Sequence, residues 1–97
     1  MCAFSHSLVS LVTVNAAAVQ VIGSNAARRG IIFINASPVR TITITPDNQT
    51  PVAGQGIVIL PQGQQPFIGD GRLINYNCGW KAIADGVGAP LQMLELL

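Results

Sequence analysis

The chain has 97 residues, 49% of them hydrophobic and only nine charged, five basic and four acidic, for a net charge of +1. An average soluble domain carries about 25% charged residues, and this chain has about one charge per 600 Å² of the surface a fold of its mass exposes. Phosphate binding needs clustered Lys and Arg, and only Arg28 and Arg29 adjoin, so nucleic acid, acidic partners and anionic membranes are all unsupported.

Twenty-three Ser, Thr, Asn and Gln residues can cover part of the deficit without charge. Monomers seldom expose apolar patches beyond a few hundred Å². The composition therefore points to an assembly subunit whose flanks are hidden by neighbours.

Arg28 is the first charge in the chain. A signal peptide needs a basic stretch ahead of its apolar run, which Met1 to Ser7 does not supply. A membrane span needs about 20 predominantly apolar residues, and Ser10, Thr13, Asn15, Gln20 and Ser24 interrupt this one. The segment reads instead as a strand pair, Val9 to Val14 and Val19 to Ile22, behind an N-terminal arm of residues 1–10. Synthesis and assembly in a cytosol are the expectation.

Further strands are expected at Gly30 to Asn35, Thr41 to Thr45, Ile57 to Leu60, Trp80 to Ala84 and Leu91 to Leu97. Ile31 to Ile34 has no polar alternate, which suits a strand covered on both faces, and Gly56 to Leu60 reads the same way. Thr41 to Thr45 alternates, so Ile42 and Ile44 share one face and the threonines the other. Gln49 to Gln55 and Gln62 to Pro66 read as loops. Trp80, in phase with Ala82 and Ala84, is a core residue. Turn signatures at Gly23-Ser24-Asn25, Pro46-Asp47-Asn48, Pro61-Gln62-Gly63, Gly69-Asp70-Gly71 and Gly86 to Pro90 separate the strands. Seven or eight short strands in one domain, residues 11–97, indicate an all-β, antiparallel sandwich or barrel of jelly-roll type. Val9 to Val14 and Leu91 to Leu97 lack the charges that usually guard an edge. If they lie at edges, another copy is the simplest partner.

Chemistry is sparse. His6 is the sole histidine and lies near a terminus, without the third group a catalytic base needs. Cys2 and Cys78 stand outside any metal-type spacing; a bridge between them stays open, and a site with His6 would lack a fourth ligand. Asp47 and Asp70 sit in turn signatures, where Asp caps its own backbone. Asn35-Ala36-Ser37 and Asn48-Gln49-Thr50 match the glycosylation pattern but have no secretion signal to go with it. No cofactor, no metal and no enzymatic activity are expected. Arg28 and Arg29 suit either a protein contact, where Arg is enriched, or a solvated pair.

Val12-Thr13-Val14, Val19-Gln20-Val21-Ile22, and Asn25 through Arg28-Arg29 to Asn35 form a pattern with Gly56 to Gly63, Trp80-Lys81-Ala82-Ile83-Ala84 and the closing Leu91 to Leu96. Over roughly residues 12–96 it resembles the small β-sandwich virion proteins of tailed bacteriophages, which decorate capsids or form fibre bases. The resemblance implies a jelly-roll-like sandwich, often trimeric, that binds the outside of a capsid and has no enzymatic activity. Thr41 to Thr45 running into a Pro-rich loop, and the segment Met1 to Ser10, depart from that pattern.

The expected role is a capsid decoration (cement) subunit on the virion exterior, partnered by copies of itself, as a homotrimer, and by the major capsid protein. The candidate contacts are Phe4, Leu8, Leu11, Arg28, Arg29, Leu94, Leu96 and Leu97. The alternative is a fibre or spike module recognising the host surface through Phe67, Tyr76 and the loops Gln49 to Gln55 and Gln62 to Pro66.

Overall fold

The computed structural model describes residues 7–68 and 78–97. They form eight strands: β1 (Ser7–Val14), β2 (Val19–Ile22), β3 (Gly30–Asn35), β4 (Ile42–Pro46), β5 (Ile57–Ile59), β6 (Gln64–Ile68), β7 (Trp80–Ala84) and β8 (Ala89–Leu96). The first sheet has the order β1-β8-β3-β6 and the second β2-β7-β4-β5. β1/β8, β2/β7, β3/β6 and β4/β5 are successive sections of one antiparallel ribbon that doubles back between β4 and β5. Wrapping the ribbon docks β3 on β8 and β4 on β7. This is the jelly-roll arrangement that the strand rhythm led us to expect.

Alternation within each strand builds the core. β8 buries Ala89, Leu91, Met93 and Glu95 and turns Pro90, Gln92, Leu94 and Leu96 outward. β7 buries Trp80, Ala82 and Ala84, opposite Ile42 and Ile44 of β4. Phe33, fully buried, meets Trp80 edge-on with ring centroids 5.2 Å apart. β2 carries a bulge, with one extra residue between the pairs Gln20–Lys81 and Ile22–Trp80. Such a bulge lets two adjacent residues serve one face, and both Val21 and Ile22 pack on the core.

Several expectations need correction. The two N-terminal strands do not pair with each other: β1 joins β8 in the first sheet and β2 joins β7 in the second, so Asn15 to Ala18 crosses between layers. β1 begins at Ser7, which takes Ser7 to Ser10 out of an arm and into the sandwich. The segment 62–66, expected as a loop, contributes most of β6. Its glutamines and Pro66 fit an edge, where a missing N–H breaks no inner ladder. β8 is not an edge strand; it lies between β1 and β3. β3 is fully covered on one face only, with Ile32 and Ile34 half-buried on the other. Val58 and Leu60 are exposed.

Both ends of the sandwich are pinned by polar side chains. At one end Asn35, fully buried, donates from Nδ2 to the carbonyls of Arg40 (2.7 Å), Ile59 (3.0 Å) and Leu60 (3.2 Å), and its Oδ1 accepts from the Ser37 N–H. A side chain so engaged offers no nitrogen to a glycan, so Asn35-Ala36-Ser37 is a structural motif. Asn15 accepts at Oδ1 from the Gly88 N–H at the same end.

A candidate interface on the uncharged sheet

The outward faces of the two sheets differ. On the second sheet, the segment after β4 folds back across it. Gly54 N–H donates to Thr43 Oγ1 at 3.0 Å, Thr45 Oγ1 reaches the Gln49 carbonyl at 3.5 Å, and Pro51 is buried. Thr43 and Thr45, which point outward, are thereby 1% and 6% exposed. That face also carries Lys81, opposite Thr45.

The first sheet has no such cover among the described residues. Cross-strand pairs share a face, so the register fixes its outward rows. Val9, Leu94, Ile32 and Pro66 stand in one row; Leu11, Gln92, Ile34 and Gln64 stand in the next; Thr13 and Pro90 extend the face. No outward position of these four strands is Asp, Glu, Lys or Arg. The central residues shield one another to half-burial, while on β1 Val9 is 72% and Leu11 62% exposed.

β1 is also an open edge. It pairs with β8 along all eight residues and, among the described residues, has no strand on its other side. Edge strands ordinarily carry Lys, Pro, a bulge or a short length against stray pairing. β1, with the sequence SLVSLVTV and an unbroken register, carries none of these.

The expected contact residues divide accordingly. Leu11, Leu94 and Leu96 lie on the outward face of the first sheet, and Leu8 is half-exposed at the β1 edge. Leu97 is buried at 8% exposure. Phe4 lies outside the described residues, as do Cys2, His6 and Tyr76. Arg29 is exposed, with its N–H bonded to the Leu96 carbonyl at 2.8 Å.

Arg28 is the clear correction. It is 5% exposed, and its guanidinium is engaged inside the protomer: Nε to Glu95 Oε2 at 2.9 Å, and its terminal nitrogens to the carbonyls of Cys78 and Gly23, each at 2.7 Å. β8 alternation carries Glu95 to the inner side of the sheet, and a buried carboxylate requires a paired cation. Arg28 therefore works as an internal tie. Glu95, in turn, is not an edge guard.

Val9 lies in the Phe4 to Leu11 segment expected to make contacts, but sequence reasoning missed Ile32 and Ile34, which complete the apolar rows. Their two-residue phase was legible, but which strands stand side by side was not. It also missed a second apolar surface. Val39, Leu60 and Val87 are 71%, 64% and 75% exposed, on the β3–β4, β5–β6 and β7–β8 connections. Those connections meet at one end, where Thr41 N–H bonds Asp85 Oδ1 and Gln62 N–H bonds the Ser37 carbonyl. The alternative recognition loops do not converge there: Gln49 to Gln55 precedes β5 and Gln62 follows it, at opposite ends of that strand.

Among the described residues no group of three His, Cys, Asp or Glu side chains could hold a metal ion. Cys78 is half-buried against the core, and burial, followed by the nearby Asp47 carboxylate, raises its thiol pKa. A thiol shifted in that direction is a poor nucleophile at neutral pH.

The described residues form a jelly-roll sandwich in which one sheet face and one strand edge are covered by none of them. No family model, curated protein or solved structure matches the chain.

Proposed function

We propose that this protein is a non-catalytic assembly subunit, and that its setting is the exterior of a tailed-bacteriophage head, where it decorates and stabilises the shell. The observation that carries the assembly reading is the uncharged outward face of the first sheet, continuous with the unguarded β1 edge. Hiding such a face gains roughly 25 cal/mol per Å² of apolar area. The scarcity of charge means that covering it desolvates few ions. The phage setting rests on the resemblance described above. Jelly rolls host many unrelated functions, so the fold by itself does not choose among them.

In this role the protein acts by mass action. A subunit that binds the assembled shell and not its dispersed components stabilises the shell by its binding free energy. The partners are the major capsid protein and further copies of this chain. Two separate apolar surfaces, the sheet face and the loop end with Val39, Leu60 and Val87, suit a subunit with two kinds of neighbour.

The deciding experiment is to mix purified protein with phage heads lacking it and to locate it by reconstruction. The expected result is regular density on the outer shell, with copies numbering in the hundreds. Density confined to a fibre or spike would replace this reading with the host-recognition one, and no association with heads would remove the phage setting.

A further inference from the structure

We infer that β1 pairs antiparallel with β1 of a second copy, about a two-fold axis passing by Ser10, so that two first sheets become one continuous eight-stranded sheet. The inference rests on the assembly reading and specifies one of its contacts.

The backbone argument comes first. An open edge leaves a row of N–H and C=O groups without strand partners, and only another extended chain can bond the row in register. A two-fold junction repeats one surface on both sides, so charges on the strand would face like charges. β1 has none.

The side chains then select the register. Directly opposed residues must share a face, and the inner faces of the two copies must lie on the same side. Residue numbers in each pair must therefore sum to an even value. A sum of 20 sets Val9 against Leu11 of the second copy, Ser7 against Thr13 and Ser10 against Ser10, matching apolar with apolar and polar with polar. A sum of 22 would set Val9 against Thr13. An odd sum, including the one that overlaps all eight residues, would mix outward with inward side chains.

Seven paired residues run about 24 Å along sheets stacked about 10 Å apart. That gives a side wall of roughly 240 Å² per copy, well below the standard size of a stable interface. The contact is thus a reversible dimer in dilute solution, reinforced when many copies sit on a common support. A three-fold assembly, which the resemblance implied, would need a different surface.

The test uses the full chain in a background of Cys2→Ser and Cys78→Ala. Opposed residues on antiparallel strands have Cα atoms about 4.5–5.5 Å apart, within disulfide range. The diagonal pair of Val9 residues would be about 7–8 Å apart. Under mild oxidation Ser10→Cys should give a covalent dimer and Val9→Cys should not. In sedimentation velocity the unaltered chain should pass from monomer to dimer with concentration. Val9→Lys should raise the dissociation constant at least about tenfold while leaving the circular dichroism and melting curve unchanged. Failure of Ser10→Cys to crosslink would overturn the inference, as would a trimer, a strict monomer, or an oligomer indifferent to Val9→Lys. An oligomer that survives Val9→Lys would leave the assembly reading standing and move its contact elsewhere. Loss of head binding with the dimer intact would do the reverse.

Discussion

Arg28 Nε and Glu95 Oε2 meet at 2.9 Å inside a single protomer, with side chains 1% and 9% exposed. Glu95 stands near the end of the last strand, and Arg28 in the connection between β2 and β3. The same guanidinium bonds the carbonyls of Gly23 and Cys78. One side chain thus gathers three distant parts of the chain at one end of the sandwich.

Removing one member of such a pair strands the other in a medium that solvates it poorly. Arg28→Ala should destabilise the fold by about 3–5 kcal/mol, measured by urea unfolding. Arg28→Met combined with Glu95→Leu should recover much of that loss, because replacing a whole buried pair with apolar groups is often nearly neutral. A double variant as unstable as the sum of its parts would mean that the two residues act independently.

Asn35 ties the opposite end. Asn35→Ala leaves three carbonyls short of a donor and should destabilise by roughly 2–4 kcal/mol, at about 1–3 kcal/mol for each group left without any partner. Asn35→Asp should be worse at neutral pH, because a carboxylate would face three carbonyl oxygens. That environment raises the pKa of the new acid in the folded state. A raised folded pKa favours folding below the unfolded value and is lost above it, so this variant should gain stability as pH falls. Unfolding midpoints for the two variants at pH 7 and pH 4 check the sign.

The strand rhythm made much of this fold legible. Val19 to Ile22, Gly30 to Asn35 and Trp80 to Ala84 are strands with the boundaries their β-branched runs suggest. Ile42 and Ile44 face the core because Thr41 to Thr45 alternates. Gln64 to Ile68 was not legible, since its strand character comes from the β3 edge beside it and not from its own glutamines. Arg28 was not legible either. Its partner is 67 residues away, and only the wrapping of the ribbon brings them together. The interface had the same difficulty: Leu11, Leu94 and Ile32 each looked apolar, but the surface exists only because β8 lies between β1 and β3.

Gly56 and Gly88 both have positive φ, 143° and 83°, yet their substitutions should differ. A Cβ at Gly88 meets open space, whereas one at Gly56 would come within 3.0 Å of the Ile44 carbonyl and the Thr43 and Thr45 methyls. Gly88→Ala should carry the backbone term alone, about 1–2 kcal/mol. Gly56→Ala should exceed it and also loosen the cover over β4, seen as faster amide exchange at Gly54, whose N–H bonds Thr43. Equal losses would mean that the segment after β4 moves aside freely.

The Cys78 thiol gives a solution signature of its setting. Burial, then the Asp47 carboxylate, holds its pKa above the ordinary thiol value. In a Cys2→Ser background, alkylation should lag behind a free thiol at pH 8 and keep rising with pH beyond the point where the free thiol's rate levels off. Asp47→Asn should shift that profile toward lower pH. The linkage has the matching sign: the folded form is favoured while both states hold the proton, and that contribution fades as pH climbs past the unfolded value through the raised folded one. A profile like that of an unstructured thiol would contradict the packing of Cys78 against the core.

Leu94 offers the sharpest separation of folding from assembly. It stands between Val9 and Ile32 on the outward row, half-buried by those neighbours and removed from the inner face. Leu94→Glu should destabilise the protomer by about 1 kcal/mol, the loss of part of an apolar contact area. Any partner seated on the sheet would have to bury an unpaired carboxylate. Head binding should therefore fall by more than about tenfold while the unfolding midpoint moves only by the amount that about 1 kcal/mol accounts for. Gln92→Glu, on the neighbouring row beside Leu11 and Ile34, should weaken binding in the same direction. If both variants bound as tightly as the unaltered chain, the bare sheet would face solvent in the assembly, and the loop end with Val39, Leu60 and Val87 would be the surface to alter next.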